Sequence, residues 1–363
     1  MLSKTDSSDD FAFHSVSRIQ ESYESWLSRH GAIEASMKAM APPRFKVERG
    51  VPLSGLSTFG IGGPARYLAR CRTVSDLRLA LDFARQQGLH QNKVFVIGKG
   101  SNVLFDDRGY DGLVIANELD FCDEISVAST SSNDEELSLR AGSGYAFNTL
   151  GQRLSTAGWG GLEFAAGIPG TVGGAVFMNA GANGFETCEV LACAEYMTSE
   201  GELKSLDVRE GSCGDSGGSG FAYRTSPFQE MGGDLLAVVS ATFSVRPSPG
   251  AKARAREYMV RRGQTQPLRD RSAGCVFRNP VGEGMPSAGA LIDGAGLKGH
   301  SVGTASVSPL HANYLVCRET GAHSARDMRA LIEEVRARVR EHAGVELTTE
   351  LKIVPFQAGE DGG

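Results

Sequence analysis

Apolar residues along the chain alternate between two periods. Leu77, Ala80, Leu81 and Ala84 recur at the three-and-four spacing of a helix with one buried face. This predicts a helix near 75–87 that Gly88 closes. Residues 65–71 read as a strand before it, and Lys93-Val94-Phe95-Val96-Ile97 as a compact buried strand after it. Leu113-Val114-Ile115, Leu236-Ala237-Val238-Val239 and Ala241-Thr242-Phe243 suggest further sheet. Pro247 and Pro249 then punctuate the chain before a basic helix over 251–262. Met328, Leu331, Ile332, Val335 and Val339 predict another helix over 325–342, with Ser324 and Asp327 resembling a capping box and Gly344 as the stop. The stretch 345–354 reads as a final strand. Val345, Leu347, Leu351 and Ile353 point to the core, and Glu346, Glu350 and Lys352 share the other face. Ile19, Tyr23, Trp26 and Leu27 give a short helical pattern that Pro42-Pro43 stops. The result is an α+β order in two blocks, 45–247 (dividing near 120–140) and 248–356. A polar extension over 1–44 precedes them, and a tail over 357–363 follows.

Composition narrows the function classes. The 363 residues allow a substantial core, and 46 glycines without a repeat point to tight turns and close backbone approaches. A formal net charge of −6 argues against capture of nucleic acid, and no apolar run is long enough to span a membrane. The acidic start, with Asp6, Asp9 and Asp10, lacks a signal core, so a cytoplasmic protein is expected. Seven cysteines without close-set pairs fit reduced thiols, and no metal site is expected.

Two glycine-dense segments carry the chemistry. Gly98-Lys99-Gly100-Ser101-Asn102 follows a strand directly, and its N–H groups could converge on an anion; an ordinary strand-to-strand turn is the alternative. A dinucleotide fold of the Rossmann kind needs glycine at position 103, where Val103 stands, so that reading fails. The second segment is Gly167-Ile168-Pro169-Gly170-Thr171-Val172-Gly173-Gly174-Ala175, continuing to Asn179-Ala180-Gly181-Ala182-Asn183-Gly184. So few bulky side chains leave backbone free to lie against a flat ring.

With Leu56-Ser57-Thr58-Phe59-Gly60-Ile61-Gly62-Gly63 upstream, these segments resemble the flavin-binding half of the UDP-N-acetylenolpyruvoylglucosamine reductases. That half belongs to a wider superfamily of FAD domains (PCMH-type) that includes vanillyl-alcohol oxidase. The resemblance runs from about residue 50 to 356. It implies a two-subdomain FAD-binding domain followed by a smaller α+β substrate-binding domain. FAD would be held by Gly98, Gly100, Ser101 and Asn102 near its pyrophosphate, and by Gly167, Ile168, Pro169, Gly170, Thr171, Gly173 and Gly174 near its ring.

Three further residues have plain readings on pattern alone: Arg224 as a surface charge, Cys275 as a small core residue and Glu350 as part of a solvated strand face. The resemblance gives them other roles. Arg224 in Tyr223-Arg224-Thr225-Ser226 would hold the substrate carboxylate, a task suited to its planar fork. Cys275, in Ser272-Ala273-Gly274-Cys275-Val276-Phe277-Arg278-Asn279, stands where the family commonly has its serine proton donor. Glu350 would assist protonation. Tyr223, Ser226 and Asn279 would contact substrate, and His311 is assigned no catalytic role. The implied reaction is NADPH-dependent, FAD-mediated reduction of an enolpyruvyl ether on a UDP-sugar to UDP-N-acetylmuramate, by a chain expected to be monomeric. Two alternatives stay open: another FAD oxidase or dehydrogenase of the superfamily, or an inactive nucleotide-sugar-binding homologue.

Overall fold

The computed structural model describes residues 45–129, 135–208, 220–282 and 284–357. The expected extension over 1–44, nearly all of the Gly/Ser-rich loop over 212–220 and the tail beyond Gln357 fall outside the described residues.

Apolar strands and one amphipathic helix build the first layer. Pro64–Cys71 pairs in parallel with Tyr110–Asn117, which pairs in parallel with Val94–Ile97; Val47–Glu48 and Val51–Pro52 complete a five-stranded sheet. Leu68, Val114 and Ile97 bury one face with Phe105 and Leu53. The helix Val74–Gln86 buries Leu77, Ala80, Leu81 and Ala84, as its period predicts, and Thr73 and Asp76 cap it reciprocally.

A second sheet is antiparallel throughout, in the order Leu203–Asp207, Leu191–Thr198, Leu235–Pro247, Glu135–Gly142, Cys122–Ser129. The two apolar runs at 236–239 and 241–243 are one strand, because Ser240 between them is itself buried in the ladder. The helices Phe147–Thr156 and Val172–Met178 cover this sheet, with Phe147, Leu150, Val172 and Val176 in its core. Asn117 joins the two sheets, its amide donating to the Val238 carbonyl at 3.1 Å.

The third core lies between the small sheet Ser301–Val302, Ala305–Val307, Leu315–Cys317 and the helices Ala288–Gly294 and Ser324–Ala343. The expected capping box is absent. Ser324 instead accepts from Gly321 N and donates to Glu319 O, while Asp327 takes hydrogen bonds from Thr304. The helix is capped from a distance: the Asp107 carboxylate accepts from Ala325 N at 2.9 Å and Arg326 N at 3.0 Å. Sequence spacing points only to local partners, so a long-range cap leaves no trace in it.

The final strand is shorter than expected. Only Lys352–Val354 is regular, running parallel to Val103–Phe105. Leu347 and Leu351 face the core as the alternation required, but residues 345–351 follow irregular backbone against 276–278. One further expectation fails: Cys188 is disulfide-bonded, whereas Cys71, Cys122, Cys275 and Cys317 are free. An odd count forbids pairing every thiol but does not forbid one pair. Among the described residues no helix is long and apolar enough to cross a membrane.

Candidate active site

The two glycine loops meet. Gly98 packs so closely on Thr171 that a Cβ there would run into the Thr171 hydroxyl. Gly100 has φ +60°, and a Cβ would run into the Leu56 carbonyl oxygen, so both position and conformation require glycine. Ser101 Oγ donates to the Pro169 carbonyl at 3.3 Å. Thr171 caps the helix Val172–Met178, accepting from Gly174 N at 3.4 Å, and Gly173 N donates to the Ser143 carbonyl at 2.9 Å.

Beside these loops a cavity of about 720 Å³ opens between the first two sheets. Gly55, Leu56, Ser57 and Thr58 line it from one side, Gly98, Lys99, Asn117, Glu118 and Asp120 continue the wall, and Gly144 and Thr171 face them. Its size falls in the usual range for a cofactor pocket. Next to Gly144, the Ser143 hydroxyl is buried and has no hydrogen-bond partner among the described residues. A backbone-lined cavity with glycines that admit no Cβ and an orphaned hydroxyl beside it is a fit for a flat, phosphate-bearing cofactor. Of the loop 167–174 only Thr171 lines this cavity; Gly167 faces the stem of Arg262 instead.

The three side chains expected to be catalytic come from three parts of the chain. Ala222 and Thr225 bond each other across a tight turn that holds Arg224 at φ +56°, a strained conformation for a non-glycine residue. Asn179, buried and itself at φ +43°, braces the turn by donating to the Ala222 carbonyl at 3.0 Å. The Arg224 guanidinium lies 4.9 Å from the Tyr223 ring centre, donates through Nε to Glu350 Oε1 at 2.7 Å and through Nη2 to the Gly181 carbonyl at 3.2 Å.

Glu350 sits just before the last strand, Lys352–Val354, which pairs with Val103–Phe105. Its N–H donates to the Val276 carbonyl at 2.8 Å, and its carbonyl accepts from the Asn102 amide at 3.2 Å. Asn102 therefore ties the first glycine loop directly to the glutamate. Burial pushes the Glu350 carboxyl above the usual carboxylate range, with Arg224 and then Arg278 opposing.

Cys275 lies on an extended segment that bridges to Tyr314, while Phe277 bridges to Thr349. Asn313 fixes this segment by accepting from Phe277 N at 2.9 Å and donating to Phe277 O at 2.8 Å. Burial pushes the Cys275 thiol up to about 12; nearby Glu350 adds to the rise, and Arg224 and Arg262 oppose it. Cys275, Glu350 and Arg224 thus form one electrostatic group, although 75 residues of chain separate the cysteine from the glutamate.

The remaining expected residues divide. The Asn279 N–H donates to the Tyr223 hydroxyl at 3.4 Å, so these two lie together near the group. Ser226 does not present its hydroxyl, which is buried and donates to the Phe177 carbonyl at 2.7 Å. His311 accepts from Asn313 N at 3.2 Å and stacks edge-on against Tyr314, a supporting position. Sequence reading passed over Arg262, Arg278 and Tyr314, since an arginine in a basic helix and a tyrosine in an apolar run carry no distinguishing spacing.

The cavity, the glycine loops and the fold define a flavoprotein: the FAD binding domain family matches residues 65–207. Residues 266–354 match the C-terminal domain of UDP-N-acetylenolpyruvoylglucosamine reductase. The chain is 42% identical over 310 residues to that reductase from Protochlamydia amoebophila, covering 85% of this chain and 94% of the other. It is 40% identical over 323 residues to the one from Chlamydia abortus, covering 88% and 99%. The crystal structure of the Thermus caldophilus reductase superposes with a TM-score of 0.65 at 31% identity, covering 86% of this chain and all of that one (100%). The chain belongs to the UDP-N-acetylenolpyruvoylglucosamine reductase family.

Proposed function

We propose that this protein reduces the enolpyruvyl double bond of UDP-N-acetylglucosamine enolpyruvate to give UDP-N-acetylmuramate, a peptidoglycan precursor. FAD, when bound, supplies the hydride to the terminal methylene carbon, and NADPH is the reductant that restores it. The residues of the loops 98–102 and 167–174 would hold the cofactor, with the Ser143 hydroxyl as a further donor. The observation that carries the reading is the convergence of a guanidinium, a carboxyl and a thiol, with Arg224 and Glu350 2.7 Å apart and the thiol within their field.

Hydride addition leaves negative charge on the adjacent carbon and its carboxylate. Arg224 stabilises that charge through a fork already held by Glu350 and Gly181, so little reorganisation accompanies the step. The Cys275 S–H gives its proton to the carbon, the carbon's electron pair becomes the new C–H bond, and the sulfur keeps the S–H pair until solvent reprotonates it. The raised pKa of Cys275 keeps it protonated at neutral pH, the form an acid needs. Glu350 assists by orienting Arg224. Tyr223 and Asn279 form part of the substrate wall.

Cys275→Ala tests this. The variant is expected to take up FAD and be bleached by NADPH, yet fail to regain its colour with the sugar substrate under anaerobic conditions. Cys275→Ser restores the recovery. Full recovery in the alanine variant removes Cys275 as the donor.

A further inference from the structure

The Arg262 side chain is a half-buried cation without a partner among the described residues. It lies in the last turn of the helix Ala251–Thr265, on which the exposed Arg254 pairs with Glu163 at 2.5 Å. Its side chain makes no hydrogen bond or ion pair among the described residues, although its carbonyl accepts from Gln266 N at 2.9 Å. Its Cδ comes within 3.0 Å of where a Cβ on Gly167 would sit, so glycine at 167 is what lets the side chain turn inward. One turn further on, Gln266 accepts from the Tyr314 hydroxyl at 2.6 Å, and Tyr314 bridges to Cys275. This contact anchors the end of the helix beside the thiol.

Tyr314 bridges to Cys275, and the charges that act on the thiol are those of Glu350, Arg224 and Arg262. Glu350 opposes a negative sulfur, Arg224 is engaged by Glu350, and the Tyr314 proton is directed at Gln266. Arg262 is left as the cation with no competing carboxylate. We propose that Arg262 is a positioning residue for Cys275, its guanidinium stabilising the sulfur anion left when the thiol gives up its proton. The inference rests on the reading of Cys275 as the acid. The electron balance is that of the proton transfer already described, and Arg262 itself exchanges no proton.

The test is alkylation of Cys275 by iodoacetamide in the flavin-loaded protein, followed by mass spectrometry of the peptide that carries it. The pH is set just below the ordinary thiol range. An opposite charge at close range shifts a thiol by about one pKa unit or more, so Arg262→Gln should slow the reaction about tenfold. Arg262→Lys, which keeps the charge on a slimmer head, should stay within about twofold of the parent. A neutral Arg262→Met variant serves where the glutamine variant does not fold. An unchanged or faster rate in the neutral variant overturns the proposal, since a merely space-filling Arg262 would open access to the thiol when shortened. Failure of the reductase reading shows separately, as parent protein whose bleached flavin is not reoxidised by the sugar substrate.

Discussion

Arg224 concentrates two costs in one residue. It occupies a left-handed conformation, worth about 1–3 kcal/mol of strain, and it holds a charged head half out of water. The Asn179 brace and the Glu350 ion pair offset both. Arg224→Lys keeps the charge but loses the fork, so turnover is expected to fall by roughly 100-fold in steady-state kinetics with the fold intact. A loss of less than about threefold would show that only charge is needed. Glu350→Gln should cut turnover comparably, because an amide leaves the guanidinium free to swing. The motifs around Arg224 and Cys275 were readable as a resemblance, yet their plain readings as a surface charge and a core thiol were equally consistent with local pattern. Partnership between residues 224 and 350 arises only from tertiary contact, 126 positions apart. For the same reason the Ser226 hydroxyl, expected at the substrate, turns inward to Phe177 instead.

At the scale of elements, periodicity placed the helices Val74–Gln86 and Ser324–Ala343 to within a residue, because a buried stripe must repeat every three or four positions. The basic helix, by contrast, runs on to Thr265, and the short helices Phe147–Thr156, Val172–Met178 and Ala288–Gly294 were not read. Where partners are distant the signal is lost. The cap of the helix Ser324–Ala343 comes from Asp107, some 218 residues upstream, and not from the neighbouring Ser324. Asp107→Ala is expected to lower stability by about 1 kcal/mol, or roughly 2 °C in Tm, by removing acceptors for two N–H groups. An unchanged melting temperature would mean that water caps the helix as well as the carboxylate does. Gly100→Ala meets the Leu56 carbonyl in a conformation alanine avoids, and purified variant should carry less than about a tenth of the parent's flavin. Parent-level flavin content would show that the loop can relax.

The whole molecule places a cavity between the first two sheets and ties the third core to the chain just after the first glycine loop, where the returning strand Lys352–Val354 pairs with Val103–Phe105. That return puts Glu350 beside Asn102 and couples the flavin loop to the acid group. Burial of thiols in this arrangement also sets a pH dependence. Cys275 and Cys71 are both pushed up to about 12, so the folded state keeps protons that the unfolded chain loses above an ordinary thiol's range. Stability from these groups is complete below that range and is lost as pH rises towards 12. Urea unfolding should therefore give a falling midpoint between about pH 9 and 10.5, and Cys275→Ser should flatten the decline. An identical slope in the serine variant would show that the Cys275 thiol is not enclosed.

The most direct test of the central claim is an anaerobic absorbance experiment on the purified protein. The account predicts a yellow, FAD-containing sample that NADPH bleaches and that UDP-N-acetylglucosamine enolpyruvate, added without oxygen, turns yellow again. A colourless protein that takes up no FAD, or a bleached one that the substrate leaves bleached, would contradict it.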